Sequence, residues 1–142
     1  MENIWKKEIT IKDLNDFSTN SIVGYLGIVF TERGSDSLSA TMPVDKRTIQ
    51  PLGILHGGAS VVLAETLGST ASYMTLNNQG YTVGLEVNAN HVRSANKGIV
   101  TGTAQPVHLG NTTQIWDISI KNDKDQFICI SRLTMAVIKA KR

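Results

Sequence analysis

At 142 residues, the chain has room for one compact domain and not two, since domains run to roughly 150 residues. Hydrophobic residues at 41%, charged residues at 18%, and 12 glycines against 3 prolines make a globular composition and exclude a disordered or low-complexity chain. A formal charge of +2 is too small to mark a nucleic-acid surface, although a chain of pI about 8.8 does not repel a small anionic ligand.

Thr10 and Asp13 form the pattern of a capped helix start, and Ile11, Leu14 and Phe17 follow at helical spacing, which predicts a short peripheral helix over residues 11–18. Residues 28–33 and 37–44 read as two strands about the turn Gly34-Ser35-Asp36, because Leu38, Ala40, Met42 and Val44 alternate with Ser37, Ser39 and Thr41. One face of this hairpin is buried. Residues 45–55, with a proline, a glycine and a charge cluster, form a loop that feeds His56-Gly57-Gly58. From Gly58 to about Leu76 the only charged residue is Glu65, set among apolar and small residues. A helix apolar on nearly all sides is a buried one. After a turn at residues 77–80, strands are predicted over 81–92, 99–108 and 112–121, and the turn Asn122-Asp123-Lys124-Asp125 leads into a last strand over 127–139. A long buried helix needs a sheet wrapped around it, and sequential strands joined by short turns make that sheet mainly antiparallel, so the expected class is α+β.

A carboxylate in the middle of such a helix is partnered by a basic residue of a neighbouring strand, protonated, or turned to a solvent-accessible cleft. Ser69, four residues after Glu65, shares its helical face and can orient the carboxylate or a water, although a mid-helix serine also satisfies itself by bonding back to its own helix. At the helix start, backbone N–H groups in the first turn have no helical acceptor and point along the helix dipole. Glycine there lets a ligand carbonyl approach, so His56-Gly57-Gly58 is a candidate oxyanion site. The same glycine pair also suits a plain tight turn. The 3 histidines, His56, His91 and His108, lie in separate segments without metal-ligand spacing, so no metal and no cofactor are expected.

The stretches MPVDKRTIQPLGILHGGASVVLAET, GLEVNANHVRSA and PVHLGNTTQIW carry a wider likeness. Through them the chain resembles the hotdog-fold thioesterases over essentially its whole length, 1–142, and within that family the aroyl-CoA branch. The resemblance implies an antiparallel sheet wrapped around one long central helix. It implies hydrolysis of an acyl-CoA thioester, such as the 1,4-dihydroxy-2-naphthoyl-CoA of menaquinone synthesis, to free acid and CoA. The active site it implies is Gln50, His56, Gly57, Glu65 and Ser69, whose order and spacing match the family pattern residue by residue. It further implies that CoA lies over the ends of the later strands, at His91, Arg93, Ser94, His108 and Gly110, with Lys139, Lys141 and Arg142 as additional phosphate contacts. The acyl pocket it implies takes a flat ring, for which Gly68, Ser69, Ala71 and Ser72 leave space while Val61, Val62, Leu63 and Leu67 provide walls.

Geometry then bears on assembly. Eight residues of helix separate Gly57 from Glu65, about 12 Å at 1.5 Å per residue, whereas a carbonyl under attack lies about 3 Å from both its donor and its attacker. One chain does not hold both, which places the site across a two-fold interface, with Gly57 and Gln50 of one chain facing Glu65 and Ser69 of its mate. The resemblance implies the same, as a homodimer further paired into a homotetramer. In the expected reaction the Gly57 N–H, helped by Gln50 or His56, polarises the thioester carbonyl, and Glu65 attacks it to give a mixed anhydride or activates a water. A broad-range acyl-CoA or carrier-protein proofreading thioesterase is the alternative on the same site. A hotdog hydratase or dehydratase would pair its acid and base in a different motif, and a non-catalytic acyl-CoA-binding module would need an output domain.

The single cysteine, Cys129, excludes an internal disulfide framework and points to an intracellular compartment. The start, MENIWKKEITIKD, mixes charges into every turn and lacks the apolar core of a signal peptide. No run of about 18 apolar residues occurs, so no membrane contact is expected and the protein reads as cytoplasmic.

Overall fold

The computed structural model describes residues 2–77 and 79–140. Its elements run α1 (Ile11–Ser18), α2 (Ile22–Tyr25), β1 (Val29–Arg33), β2 (Leu38–Pro43), α3 (Gly57–Met74), β3 (Tyr81–His91), β4 (Ile99–Leu109), β5 (Thr113–Lys121) and β6 (Phe127–Ile138). The strands form one six-stranded sheet in the order β1-β2-β4-β5-β6-β3, with every neighbouring pair antiparallel. The elements expected from sequence are present to within two residues at each end. Helix α2 has no counterpart in that reading, because four residues are too few to show a period; its start is set by Ser21, whose hydroxyl accepts from the Val23 N–H. Lys141 and Arg142, and Asn78 of the turn, lie outside the described residues.

Helix α3 lies on the inner face of the sheet and touches β2, β3, β4, β5 and β6. Leu63, Leu67 and Met74 of the helix are fully buried, as are Trp116, Ile118, Ile120, Leu133 and Met135 of β5 and β6. Gly102 on β4 lets the helix come close: a Cβ there would stand 2.7 Å from Leu67 Cδ1 and 3.2 Å from Leu63 Cδ2. The sequence pattern implied a helix buried on all sides, and here the structure differs. Ala59, Ser60, Leu63, Ala64, Leu67, Gly68, Ala71, Ser72 and Met74 are buried, but Glu65 and Tyr73 are exposed. A single sheet covers one side of a helix, and the flank beside β3 stays open.

The segment before α1 closes the far end of α3. The Lys6 and Lys7 N–H groups both donate to the Met74 carbonyl, at 2.9 and 3.2 Å, supplying partners to a helix end that would otherwise lack them. Trp5 stacks on Trp116 with ring centroids 6.4 Å apart and donates its indole N–H to the Gly34 carbonyl at 2.6 Å.

The two sheet edges are treated differently. Along β1, the Asn15 amide of α1 donates to the Phe30 carbonyl at 2.9 Å and accepts from the Phe30 N–H at 2.8 Å. One side chain thus mimics a neighbouring strand and blunts that edge. Along β3, by contrast, the outer edge pairs with no strand among the described residues, and Tyr81, Val83 and Leu85 of that strand are exposed. No helix among the described residues is long and apolar enough to cross a membrane.

Replacing Gly102 by Val should drive side-chain atoms into Leu63 and Leu67 and destabilise the protein by about 1–3 kcal/mol, the usual effect of overpacking a core. Urea unfolding at fixed protein concentration should show a lower midpoint with an unchanged slope. An unchanged midpoint would mean that α3 has slack above the sheet.

Candidate active site

The loop before α3 is built to present its last residues. Asp45 and Arg47 pair through the guanidinium at 2.7 Å, and the Arg47 side chain and backbone N–H hold the Asp45 carboxyl down to about 2. The pair is therefore intact above the ordinary carboxylate range and is lost only as pH falls through about 2. The buried Thr48 hydroxyl donates to the Pro43 carbonyl at 2.7 Å. An isolated bridge between Ile49 and Leu55 then closes a tight turn, in which Gln50 N–H donates to the Ile54 carbonyl at 2.8 Å. Gly53 takes φ +79°, a backbone region open to glycine at no steric cost. The Gln50 side-chain oxygen accepts from the Leu52 N–H. That bond orients the amide, and its NH₂ donors remain uncommitted among the described residues.

His56 caps the helix. Its Nδ1 accepts from the Gly58 N–H at 2.8 Å, so the neutral ring carries its proton on Nε2 and can donate from there. Of the two glycine N–H groups offered by the sequence, Gly58 is thereby used internally, while the Gly57 N–H finds no acceptor among the described residues. His91, at the end of β3, lies against this point: a Cβ on Gly57 would meet its Nε2 at 2.8 Å. Two histidines far apart in sequence thus converge on the α3 N-terminus. Cys129 is the cross-strand partner of His91, but burial pushes its thiol pKa up, which keeps it protonated and a poor nucleophile.

Gly57, Val61, Glu65 and Ser69 recur every four residues and form one row along α3. This row follows the inner face of β3, which runs antiparallel to it. His91 stands by Gly57 and Gly84 by Glu65, while Thr82 shares a cleft with Ser69. Of the fates open to the Glu65 carboxylate, the structure shows the exposed one: it makes no ion pair and no hydrogen bond among the described residues. The contact with Gly84 was not anticipated. Its signal in the sequence is a glycine inside a strand, a position that marks close approach of another group.

Beside Ser69 opens a cleft of about 560 Å³ lined by Ile9, Leu14, Phe17, Thr70, Tyr73, Tyr81 and Thr82, among others. The acyl slot expected from sequence lies elsewhere and is not open. Gly68, Ala71, Ser72, Leu63 and Leu67 are all buried, a Cβ on Gly68 would meet Leu133 Cδ2 at 2.6 Å, and the buried Ser72 hydroxyl finds no partner among the described residues. Composition identifies small residues on a helix but not the side they face. Helix α1, which reads as peripheral in sequence, forms one wall of the real cleft.

The proposed CoA contacts do not form one cluster within a chain. Arg93 and Ser94 are exposed just past His91, near the loop, where Leu55 N–H donates to the Ala95 carbonyl at 2.7 Å. His108 lies apart. His91 pairs with Cys129, and His108 with Ile115, itself paired with Thr134. The two histidines are therefore about 17 Å apart along the strands and about 14 Å across them. Gly110 and Lys139 line a separate hollow of about 350 Å³ with Lys6 and Thr75, beside the end of α3. Among the described residues no group of His, Cys, Asp or Glu is placed to hold a metal ion.

Residues 52–129 match the model of the thioesterase superfamily. The chain is 53% identical over 135 residues to the 1,4-dihydroxy-2-naphthoyl-CoA hydrolase of Escherichia coli, covering 95% of this chain and 99% of that one. It is 49% identical to the proofreading thioesterase EntH of Cronobacter sakazakii, covering 95% and 98% of the two chains. A crystal structure of a thioesterase from Haemophilus influenzae superposes with a TM-score of 0.94 at 48% identity, covering 96% of this chain and 95% of that one.

Replacing His56 by Ala should remove the cap on the Gly58 N–H and destabilise the protein by about 1 kcal/mol, whereas Asn, which also caps, should recover most of that loss. Thermal unfolding of the three proteins checks it. Equal stability of the Ala variant and the parent would show that the imidazole does not hold the helix start.

Proposed function

The chain belongs to the thioesterase superfamily and hydrolyses thioesters, and on that footing we propose that its substrate is an aroyl-CoA, such as 1,4-dihydroxy-2-naphthoyl-CoA, cleaved at sites shared between two copies of the chain. The observation that carries this reading is the row on α3. Among the described residues, an uncommitted N–H at Gly57 and an unpaired carboxylate at Glu65 sit on one helix, about 12 Å apart, alongside a sheet edge that lacks a partner. Pairing of two β3 edges about a two-fold axis completes the site. With His91 level with Gly57 and Gly84 level with Glu65, an axis midway between them, near Val87 and Asn88, sets Gly57 of one chain against Glu65 of the partner subunit. The bare N–H and C=O groups of the β3 edge then find partners. We read the chain, 1–142, as one such domain, assembled as a dimer of dimers.

In the mechanism, the Gly57 N–H and the Gln50 amide bind the thioester oxygen and stabilise the charge it gains as the carbonyl becomes tetrahedral. The Nε2–H of His56 is a further donor at the same helix end. Glu65 of the partner subunit either attacks the carbonyl carbon, expelling CoA as its thiolate and leaving a mixed anhydride for water to open, or takes a proton from the attacking water. Ser69, one turn on, orients that carboxylate or water. His91, Arg93 and Ser94 receive the CoA arm, and His108 and Gly110 reach the same CoA only from a neighbouring chain. The acyl group enters the cleft beside Ser69, whose aromatic walls, Phe17, Tyr73 and Tyr81, suit a flat ring. A ring loses little conformational freedom there, while a long alkyl chain must be ordered. The one buried cysteine suits a reducing compartment, the cytoplasm.

Replacing Glu65 by Gln should leave folding intact and lower turnover by several orders of magnitude; near-parental activity would make Glu65 structural. Replacing Gln50 by Ala should lower it less, about 10- to 1000-fold, as one donor among several. Mixing these two variants under subunit exchange should recover activity above either alone, since each mixed dimer holds one intact site, and no recovery would refute the shared site. In a thioester panel, kcat/KM should be higher for benzoyl-CoA than for palmitoyl-CoA, with roughly 10- to 200-fold differences among aryl rings. A preference for palmitoyl-CoA would overturn the aroyl assignment alone.

A further inference from the structure

Gly84 is the one residue of β3 whose missing side chain coincides with the catalytic carboxylate. It pairs with Met135 of β6, a buried residue, and cross-strand partners project to the same face, so a side chain at Gly84 would point inward to α3. The nearest atom it would meet is Glu65 Oε1, at 2.6 Å; the next are Glu65 Cδ at 3.7 Å and Met135 Sδ at 4.0 Å, both ordinary contacts. Backbone conformation does not call for glycine, because Gly84 is absent from the positive-φ glycines, Gly27, Gly53 and Gly98. A glycine inside a strand weakens it through lost packing and backbone entropy. Next to Gly84 the β3–β6 register shifts by a bulge between Gly84 and Glu86, a device that re-aims the strand.

We propose that Gly84 is a positioning residue: it leaves the strand bare so that the Glu65 carboxylate lies flat against β3, at the height at which it meets the thioester bound at the α3 N-terminus of the partner subunit. The inference rests on the reading of Glu65 as the attacking or activating group. Gly84 touches no substrate atom and acts only through Glu65. A methyl group at Gly84 pushes the carboxylate away from the strand by roughly an ångström, a displacement that in a positioned reaction lowers turnover by about 100-fold. The fold is spared, because the only atom in the way is the free end of a flexible side chain.

The experiment is a double-mutant cycle with benzoyl-CoA, using Gly84→Ala, Glu65→Asp, the double variant and Glu65→Gln. Gly84→Ala should lower kcat by about 10- to 100-fold with KM changed less than about threefold and melting temperature nearly unchanged. Glu65→Asp withdraws the carboxylate by one methylene, so in that background the same Ala substitution should change kcat by less than about threefold, a non-additivity expected only of groups in contact. A parental kcat for Gly84→Ala, an equal loss in both backgrounds, or failure of Gly84→Ala to fold would each overturn the proposal. The Glu65→Gln arm separates the two readings. If Glu65→Gln is inactive while Gly84→Ala behaves as the parent, the positioning role fails alone; if Glu65→Gln is active, the reading of Glu65 fails first.

Discussion

Helix α3 can lie on the sheet only because Gly102 beneath it and Gly68 upon it carry no side chain, where a Cβ would stand 2.7 Å from Leu67 and 2.6 Å from Leu133. That close seat locks the rotation of the helix about its own axis. Once Leu63, Leu67 and Ala71 are committed to the sheet, the row Gly57, Val61, Glu65 and Ser69 must face β3 and the space beyond it. The placement of the carboxylate, the free N–H and the cleft beside Ser69 all follow from this one packing choice. Core side chains seated this tightly have few alternative arrangements, so the site inherits the rigidity of the core.

The same seat leaves the molecule unfinished along one side. The β1 edge is blunted at Phe30 by the Asn15 amide, and α1, held there, shares the cleft beside Ser69 with the flank of α3. The β3 edge has no such cover among the described residues, and an exposed edge with apolar side chains is a template for another strand. Where the chain manages one edge with a side chain and leaves the other bare, a partner at the bare edge is the economical physical explanation. A helix cannot bring two of its own residues eight apart onto one carbonyl, so the proposed shared site draws on the same bare edge.

At the helix start, structural and chemical duties are divided between neighbouring groups. His56 Nδ1 takes up the Gly58 N–H, which leaves the Gly57 N–H as the donor without an acceptor among the described residues and fixes the proton of the neutral ring on Nε2. Gln50 is treated alike: a backbone N–H holds its oxygen and so turns its amide donors away from the loop. In both cases a local hydrogen bond chooses which end of an ambiguous side chain is left uncommitted. In the proposed mechanism no reorganisation is then needed when charge develops on the thioester oxygen.

Sequence alone determined what depends on spacing along one element. The capped α1, the alternation in β2, the glycine start of α3, the lone Glu65 with Ser69 one turn on, and the fixed rise between Gly57 and Glu65 are all quantities of a single strand or helix, and they stood as read. The family resemblance was likewise legible in linear order. Tertiary structure decided what depends on how one element is turned against another. Small residues at Gly68, Ala71 and Ser72 looked like space for a ring, yet they face the sheet, and the open cleft is on the other flank with α1 as a wall. The approach of His91 to Gly57, the bare strand at Gly84 under Glu65, and the separation of His108 from His91 arise between residues far apart in the chain. A periodic pattern carries the pitch of a helix but not its rotation about its axis, and that rotation is set only when the side chains of α3 find their seats on the sheet.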